Sequence, residues 1–550
     1  MLKIIIQSIF LNWVLVSIAI ASVDRAKVTP VKLSIKVIDD IQFALQDHLV
    51  WDRYNRWAPG LNWNKLREIY QKRSFSPVWL NYFGPTEKAR IVQNVVQAAE
   101  AHGLEPEEYH APAIKQLFKS KSSRDLARLE LLLTDALIRY SVEVSVGYEF
   151  PRSADFAWYL KPKKANVDSK IEQVLTASDL ITVLGSFPPR HDGYIALKSK
   201  LSFYRMLAML GEWKKIPRGP TLQLGVKHSN VILLRQRLFR EEYISNQDDL
   251  NSSYFDEKLE LAVREFQSNY GHKPDGIVGY FTRTSLNVSL ANRIISIKQN
   301  MERWRWLPDD LGEKYIMVNM AGYTLDYVNN SQVSLSMPVI VGKPYRSTPA
   351  FSDTMKYIEF NPTWKVPTRI AKEKFLPNIK QNMAYLSKNN LRVYRSWRKG
   401  AKEINPLSIN WNNMSDDHFP YKLVQDPGKY NSMGQVKFMF PNSFRVYLHD
   451  TPNKNLFNRY VRTFSSGCIR VSQPFLLAQK LLFDQKDWSL DKIKTIIRKG
   501  ETTRVKLKQR VPVYLMYWTA WVTKDGKVNF RKDVYQRNNN IVVSNELNLS

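Results

Sequence analysis

The spacing of apolar residues changes once along this 550-residue chain, near Met301, and that change decides which architectures are open to it. Before it, apolar residues recur at helical intervals; after it, they alternate. "RLELLLTDALIRYSVEV" (residues 128–144) is apolar nearly all round, which predicts a buried helix. In "YIMVNMAGYTLDYV" (315–328), Ile316, Val318 and Met320 share one face and Ala321-Gly322 predicts the turn of a hairpin. "QVSLSMPVIVG", "KYIEFNPTWKVP" and "KFMFPNSFRVYLHDT" predict further strands. Between the last two, residues 371–434 are richer in Lys, Asn, Pro and aromatics, the mark of an inserted subdomain. No repeat of solenoid length occurs, so a helical first half joined to a β-rich second half predicts about three or four folded units.

A hydrophobic fraction of 44% with 12% aromatics excludes long disordered stretches. The net charge of +30 is spread along the chain, so its partners are expected to be polyanionic. Nucleic acid is disfavoured, because no zinc-finger spacing, RNP-like aromatic motif or basic zipper is present. An acidic wall polymer or an anionic membrane surface fits the charge. At the N-terminus, Lys3 precedes the apolar run 4–20, and Ala19-Ile20-Ala21 forms a cleavage pattern before Ser22. Residues 1–21 therefore read as a signal for export, with an uncleaved anchor as the alternative. Either places the body of the protein outside the cytoplasm.

The region 22–224 reads as helical without evident chemistry, with His102 and His110 expected at the surface or in caps. The helical stripes of "NVILLRQRLF" and "FDEKLELAVREFQSNYG", then "KPDGIVGYFTRTSLN", define a compact unit over 225–290 whose third helix begins near Thr282. It resembles the three-helix peptidoglycan-binding domain through Ala262, Val263, Phe266, Gln267, Asp275, Gly276, Gly279, Thr282, Leu286 and Asn287. Most of those residues are of kinds that pack a core or form turns, so the resemblance speaks to fold more than to binding.

One cysteine stands in the whole chain, Cys468, with His449 nineteen positions before it. An exported protein usually pairs its cysteines. A single one is an inert core residue, an intermolecular link or a reactive thiol. Alternation in "FRVYLHD" sends Phe444, Val446 and Leu448 to the core and leaves Arg445, Tyr447 and His449 facing a cleft. The same logic in "SSGCIRVSQP" pairs Cys468 with Arg470, turns Ile469 and Val471 inward, and predicts a helix capped by Ser472. An imidazole near a thiol can take its proton or hold a thiolate–imidazolium pair. Gly467 permits a tight turn whose backbone N–H groups could face an oxyanion. This is a constellation for acyl transfer. Asp416, Asp417, His418, His449, Asp450 and Cys468 lack clean ligand spacing, and no metal or other cofactor is expected.

"YLHDTP…SSGCIRV" resembles the active-site signature of the L,D-transpeptidases, and "VGKPYRSTPAFSDTMKYIEFNPTWKVP", "QDPG", "GQVKFMFPN" and "VPVYLMYWTAWV" are similar to the large periplasmic branch of that family. The resemblance implies a multidomain α+β protein. Its parts would be a signal (1–21), a helical scaffold (22–224), a peptidoglycan-binding domain (225–290), a β-sandwich catalytic domain (291–525) with a capping insertion (371–434), and a tail (526–550). It implies Cys468 as nucleophile, His449 as base, Gly467 and Cys468 as oxyanion donors, and Ser465, Ser466 and Arg470 as substrate contacts. Ser466 and Arg470 depart from the commoner His and Asn. Tyr447 is added from strand geometry as a hydrogen-bonding group. The implied activity is 3→3 cross-linking of peptidoglycan stem peptides with release of D-alanine in the periplasm, and acylation by carbapenems. Hydrolysis, lipoprotein attachment and a noncatalytic wall-binding role are the alternatives; a papain-like enzyme usually has its Cys before its His.

Overall fold

The structure is a computed structural model that describes residues 35–50, 60–148, 151–161, 163–164, 166–245, 250–398, 400–415, 417–485 and 487–541. The expected export segment and the end of the expected tail lie outside these residues. The chain divides into two compact units, one made of residues up to 100 with 105–141 and 166–186, the other of 101–104, 142–165 and everything from 187 onward.

The first unit is helical. Its central helix, α1 (Ser123–Val146), is buried at every position from 129 to 138, as its all-round apolarity predicts. Glu130 is the exception in chemistry but not in burial: it accepts hydrogen bonds from the Tyr70 hydroxyl (2.9 Å) and the Trp79 N–H (3.0 Å). Burial still pushes its carboxyl up to about 7. His110, with φ +58, links two short helices and contacts Asp135 at 2.8 Å.

In the second unit, α2 (Asp192–Met209) and α6 (Leu290–Arg305) pack together, and three helices lie between them in sequence, α3 (Ser229–Arg240), α4 (Glu257–Asn269) and α5 (Tyr280–Leu286). Helix α5 starts at Tyr280, two residues earlier than expected. His102 is buried in this unit, against the expectation of a surface or capping residue. It lies 2.9 Å from the Tyr194 hydroxyl and 3.0 Å from Lys198 Nζ, and burial, then Lys198 and Arg305, hold its imidazole neutral.

The β-rich part begins with the predicted hairpin, β1 (Lys314–Asn319) and β2 (Thr324–Asn329), followed by β3 (Gln332–Gly342) and β4 (Phe351–Phe360). Strands β5 (Trp364–Lys365), β6 (Leu391–Tyr394), β7 (Glu403–Ile404) and β8 (Lys422–Gln425) form a separate four-stranded sheet in the order β5-β8-β6-β7. The chain returns through β9 (Val436–Met439), β10 (Leu448–His449), β11 (Thr463–Ser465), β12 (Ile469–Val471), helix α7 (Pro474–Leu481) and β13 (Thr503–Met516). The main sheet runs β11-β3-β12-β10-β9-β4-β13-β1-β2, and β2 also pairs with β3. The expected sandwich is thus one ladder returning on itself: β3 is long enough for its first half to pair with β2 and its second with β11 and β12. Strand β13 is its spine, and every residue from 513 to 516 is buried.

The small sheet has its own core of Trp364, Val366, Phe375, Leu391, Leu423 and Met433 among others. The subdomain therefore takes in the strand before residue 371. Tyr447 packs against both this core and the main one, so it lies at the seam between them.

Candidate active site

Three adjacent strands of the main sheet bring the candidate residues together. Strand β10 pairs in parallel with β12, setting Leu448 beside Ile469 and His449 beside Arg470, and the Ile469 N–H donates to Tyr447 O at 3.1 Å. On its other edge β10 runs antiparallel to β9, with Lys437 opposite His449. Partners in register project to the same face. Lys437, His449 and Arg470 consequently form one row, and Tyr447 and Cys468 the next. Leu448, Ile469 and Val471 are fully buried on the other face, as alternation predicts.

Regular alternation does not extend back to Phe444. Arg445 has φ +56, and the Asn442 side chain clamps Val446 through its N–H (3.2 Å) and carbonyl (2.7 Å), so a turn precedes a strand of only two residues. Ser472 does not cap α7 either; Gln473 occupies that position, because the Ser472 N–H continues the ladder to Pro338 O at 3.2 Å.

The Cys468 thiol is partly buried, with Sγ 3.7 Å from Arg445 O. Burial raises its pKa, while hydrogen bonding from Tyr447 and the charges of Lys437 and Arg470 oppose that rise. The Lys437 ammonium stands 4.1 Å from the centroid of the Tyr447 ring, and burial lowers its own pKa. Tyr447 is held in the phenol form, first by burial and then by the Cys468 charge. Sequence reasoning missed Lys437. Its signal was available in "QVKFM", where it is the polar residue between the buried Val436 and Phe438.

His449 is almost fully enclosed, its ring 5.8 Å from that of Tyr447 and its Nδ1 hydrogen-bonded to the Asp450 carbonyl. Burial and then the Arg470 charge depress its pKa to about 3, outweighing the Asp450 and Met433 carbonyls that favour the protonated ring. The imidazole is therefore neutral at physiological pH. Tyr447, not His449, lies in register with Cys468, and the thiol contacts Tyr447 and Arg445.

The turn before Cys468 is built by Gly467 at φ +116, a conformation that disfavours any side chain. Its carbonyl accepts from Thr348 Oγ1 (2.8 Å), which in turn accepts the Gly342 N–H (3.0 Å). Its own N–H donates to Ser465 Oγ at 3.1 Å. That N–H is engaged, so the expected oxyanion pair of Gly467 and Cys468 is not assembled in this structure; the buried Ser465 is a strut of the turn. Ser466 is exposed and accepts from Arg346 at 3.0 Å, and Arg346 also pairs with Glu373 of the small-sheet subdomain, which Arg369 holds at 2.7 Å. Arg470 is partly buried, and its Nε has no partner. Asp416 lies outside the described residues, and among those described no group of three or more His, Cys, Asp or Glu side chains is gathered to hold a metal ion.

A turn-borne thiol thus shares a sheet face with a phenol, a neutral imidazole and two cations. Comparison with known proteins finds three matching domains. Residues 313–507 match the L,D-transpeptidase catalytic domain, residues 64–201 the scaffold domain, and residues 227–286 the domain described as "Putative peptidoglycan binding domain". A Haemophilus influenzae protein named "Putative L,D-transpeptidase" is 34% identical over 239 residues, which span 44% of this chain and 47% of that one. Among solved structures, an L,D-transpeptidase from Mycobacterium smegmatis aligns over 37% of this chain and 58% of its own at 14% identity and TM-score 0.18. One from Xylanimonas cellulosilytica aligns over 55% and 100% at 15% identity and TM-score 0.16. The chain thus contains stretches that match a scaffold domain, a peptidoglycan-binding domain and an L,D-transpeptidase catalytic domain, and it spans about half the length of the curated relative it matches.

Proposed function

We propose that this protein is an exported L,D-transpeptidase that forms 3→3 cross-links in peptidoglycan through a Cys468 acyl-enzyme. The observation that carries the reading is the placement of the sole thiol on the Gly467 turn, on one sheet face with Tyr447, His449, Lys437 and Arg470, inside a domain of that family.

Neutral His449 is the acceptor for the thiol proton, and Lys437 and Arg470 stabilise the thiolate that forms. Sγ attacks the carbonyl between the third residue of a tetrapeptide stem and its terminal D-alanine. The C–N bond breaks, the leaving amine takes the proton from His449, and a thioester remains. A side-chain amine of a second stem then attacks the thioester; a new amide forms and the thiol regains its proton. With its phenol kept protonated, Tyr447 donates a hydrogen bond to the oxyanion, and the Cys468 N–H supplies the donor that the engaged Gly467 N–H does not. The peptidoglycan-binding domain and the charge of +30 would keep the enzyme on anionic wall material in the periplasm. Among the described residues no helix is long and apolar enough to cross a membrane.

The test is intact mass spectrometry of the protein incubated with purified disaccharide-tetrapeptide, beside Cys468→Ala. A thioester adduct and a cross-linked dimer lacking one D-alanine, both absent from the variant, are expected. Loss of D-alanine without a dimer would reassign the enzyme as a carboxypeptidase or as one using another acceptor. A carbapenem adduct surviving Cys468→Ala would overturn the choice of nucleophile.

A further inference from the structure

Several arginines of the β-rich part are matched by carboxylates. Arg346 and Arg369 share Glu373, Arg392 meets Asp426 at 2.5 Å, and Arg504 meets Glu359 at 3.1 Å. Arg470 departs from this pattern. Among the described residues its side chain makes no hydrogen bond or ion pair, although it is partly buried and its Nε is sealed from solvent without a partner. Its charge is felt by another cation, Lys374, in the segment Ala371–Phe375 of the small-sheet subdomain. The Lys374 ammonium also has no carboxylate partner among the described residues. Burial, and after it the charge of Arg470, lowers its pKa. Leaving two partly desolvated cations without an anion costs stability that a well-placed anion would restore.

We infer that Arg470, from the strand that follows Cys468, and Lys374, from the subdomain across the cleft, form a subsite for the terminal carboxylate of the donor stem peptide. This rests on the function proposed above and names the feature of the donor that the same site reads. The geometry fits. Cys468 and Arg470 are two residues apart on one strand face, so their Cα atoms are separated by about 6.6 Å. In the donor, one residue, or about 3.8 Å of chain, separates the scissile carbonyl from the terminal carboxylate, and the guanidinium fork spans the remainder. A planar, always charged fork accepts a carboxylate in two parallel hydrogen bonds, and the lysine adds a mobile point charge. The subsite therefore selects for a free C-terminus directly after the scissile amide.

The experiment compares two donors, the disaccharide-tetrapeptide with a free terminal carboxylate and the same compound with a terminal carboxamide. Binding is measured by calorimetry on the full chain bearing Cys468→Ala, with and without Arg470→Gln, Lys374→Gln or both; acylation is measured by intact mass on the corresponding chains that keep Cys468. The free acid is expected to bind about ten- to a hundredfold more tightly than the carboxamide, the preference shrinking stepwise in the single variants and vanishing in the double one. Arg470→Lys should recover part of it, and carboxamide binding should change by no more than about threefold throughout. Equal binding of the two donors, or a parallel loss of that binding for both in Arg470→Gln, would overturn the subsite. A carboxylate preference in the binding measurement with no acyl-enzyme from either donor would overturn the transpeptidase reading and leave the subsite standing.

Discussion

Two short turns of this molecule look alike in sequence and differ in what they leave open. The loop Asp275 to Gly279 and the turn Ser465 to Cys468 each pair small polar residues with a glycine of positive φ, +78 at Gly276 and +116 at Gly467. In the first, the polar groups of Gln267 and Asp275 are consumed internally. Gln267 donates to Asp275 Oδ1 and Ile277 O, both at 2.9 Å, and accepts the Gly276 N–H at 2.8 Å, while Asp275 Oδ1 also accepts the Ile277 N–H at 3.0 Å. A Cβ on Gly276 would come within 2.6 Å of Glu260. Nearby, Arg237 meets Glu241 at 2.7 Å, and two tyrosine hydroxyls complete that carboxylate. In the second turn, Thr348 and Ser465 satisfy the backbone of Gly467, yet among the described residues Arg470, on the strand that follows, has no balancing carboxylate. The difference teaches that a closed polar network explains a fold, whereas an open one, kept at some cost, points to a missing reactant.

The largest effect expected from this contrast comes from His449→Ala. Removing the proton acceptor should lower the acylation rate by about 100- to 10,000-fold, read by stopped-flow or quenched mass spectrometry. Unfolding should lose about 1 to 3 kcal/mol for the volume the enclosed ring vacates, a smaller effect than that on rate. Gln267→Leu should invert the pattern. Four hydrogen bonds of the binding-module loop converge on that amide, and about 2 to 4 kcal/mol of stability should be lost, read by denaturant unfolding, while acylation of a soluble donor stays near the wild-type rate. If Gln267→Leu slowed acylation as severely as His449→Ala did, the division between a structural and a reactive turn would fail.

Acid sharpens the comparison through sign. The imidazole of His449 has a folded pKa of about 3 against an ordinary 6.5, so between those values the unfolded chain binds the extra proton and stability is lost as pH falls. His102 acts in the same direction. In the other unit, Glu130 is raised from 4.5 to about 7, so the folded form holds the extra proton and stability is lost as pH rises through that window. Melting followed from pH 7 to pH 4 should show the unit bearing His449 weakening while the Glu130 contribution grows, each by an amount of the order of a few kcal/mol. Glu130→Gln should remove the second trend and leave the first.

Much of this was legible because the informative patterns are local. The Ile316, Val318, Met320 face and the Ala321-Gly322 turn read directly as a hairpin, and alternation set Cys468 and Arg470 on one side of their strand. What failed to show depended on register between distant segments. Lys437 reaches the site only because β9 pairs with β10, and Lys374 and Arg346 because the subdomain and the β3–β4 connection return to it. Ser472 read as a cap by its type, but a ladder bond to Pro338 claimed its N–H first. His102 read as a surface residue for want of any local sign that Tyr194 and Lys198, nearly a hundred positions away, would enclose it.

The smallest predicted effect isolates the contrast in a single residue type. Arg346 and Arg470 flank the same turn, one paired with Glu373 and bonded to Ser466, the other without a partner. An ion pair open to solvent is screened and costs side-chain freedom to hold, so little free energy rests on it. Arg346→Gln should therefore change acylation by about threefold or less, equally for free-acid and carboxamide donors, and that small change should fade as salt rises. Arg470→Gln should slow acylation by both donors, through the thiolate it stabilises, and by a further factor for the free acid only. Parallel salt titrations of the two variants, read as acylation rates with both donors, check the expectation. A donor-dependent loss in Arg346→Gln would mean that the paired arginine also serves the substrate, and that a satisfied ion pair is a poorer guide to structural duty than the two turns suggest.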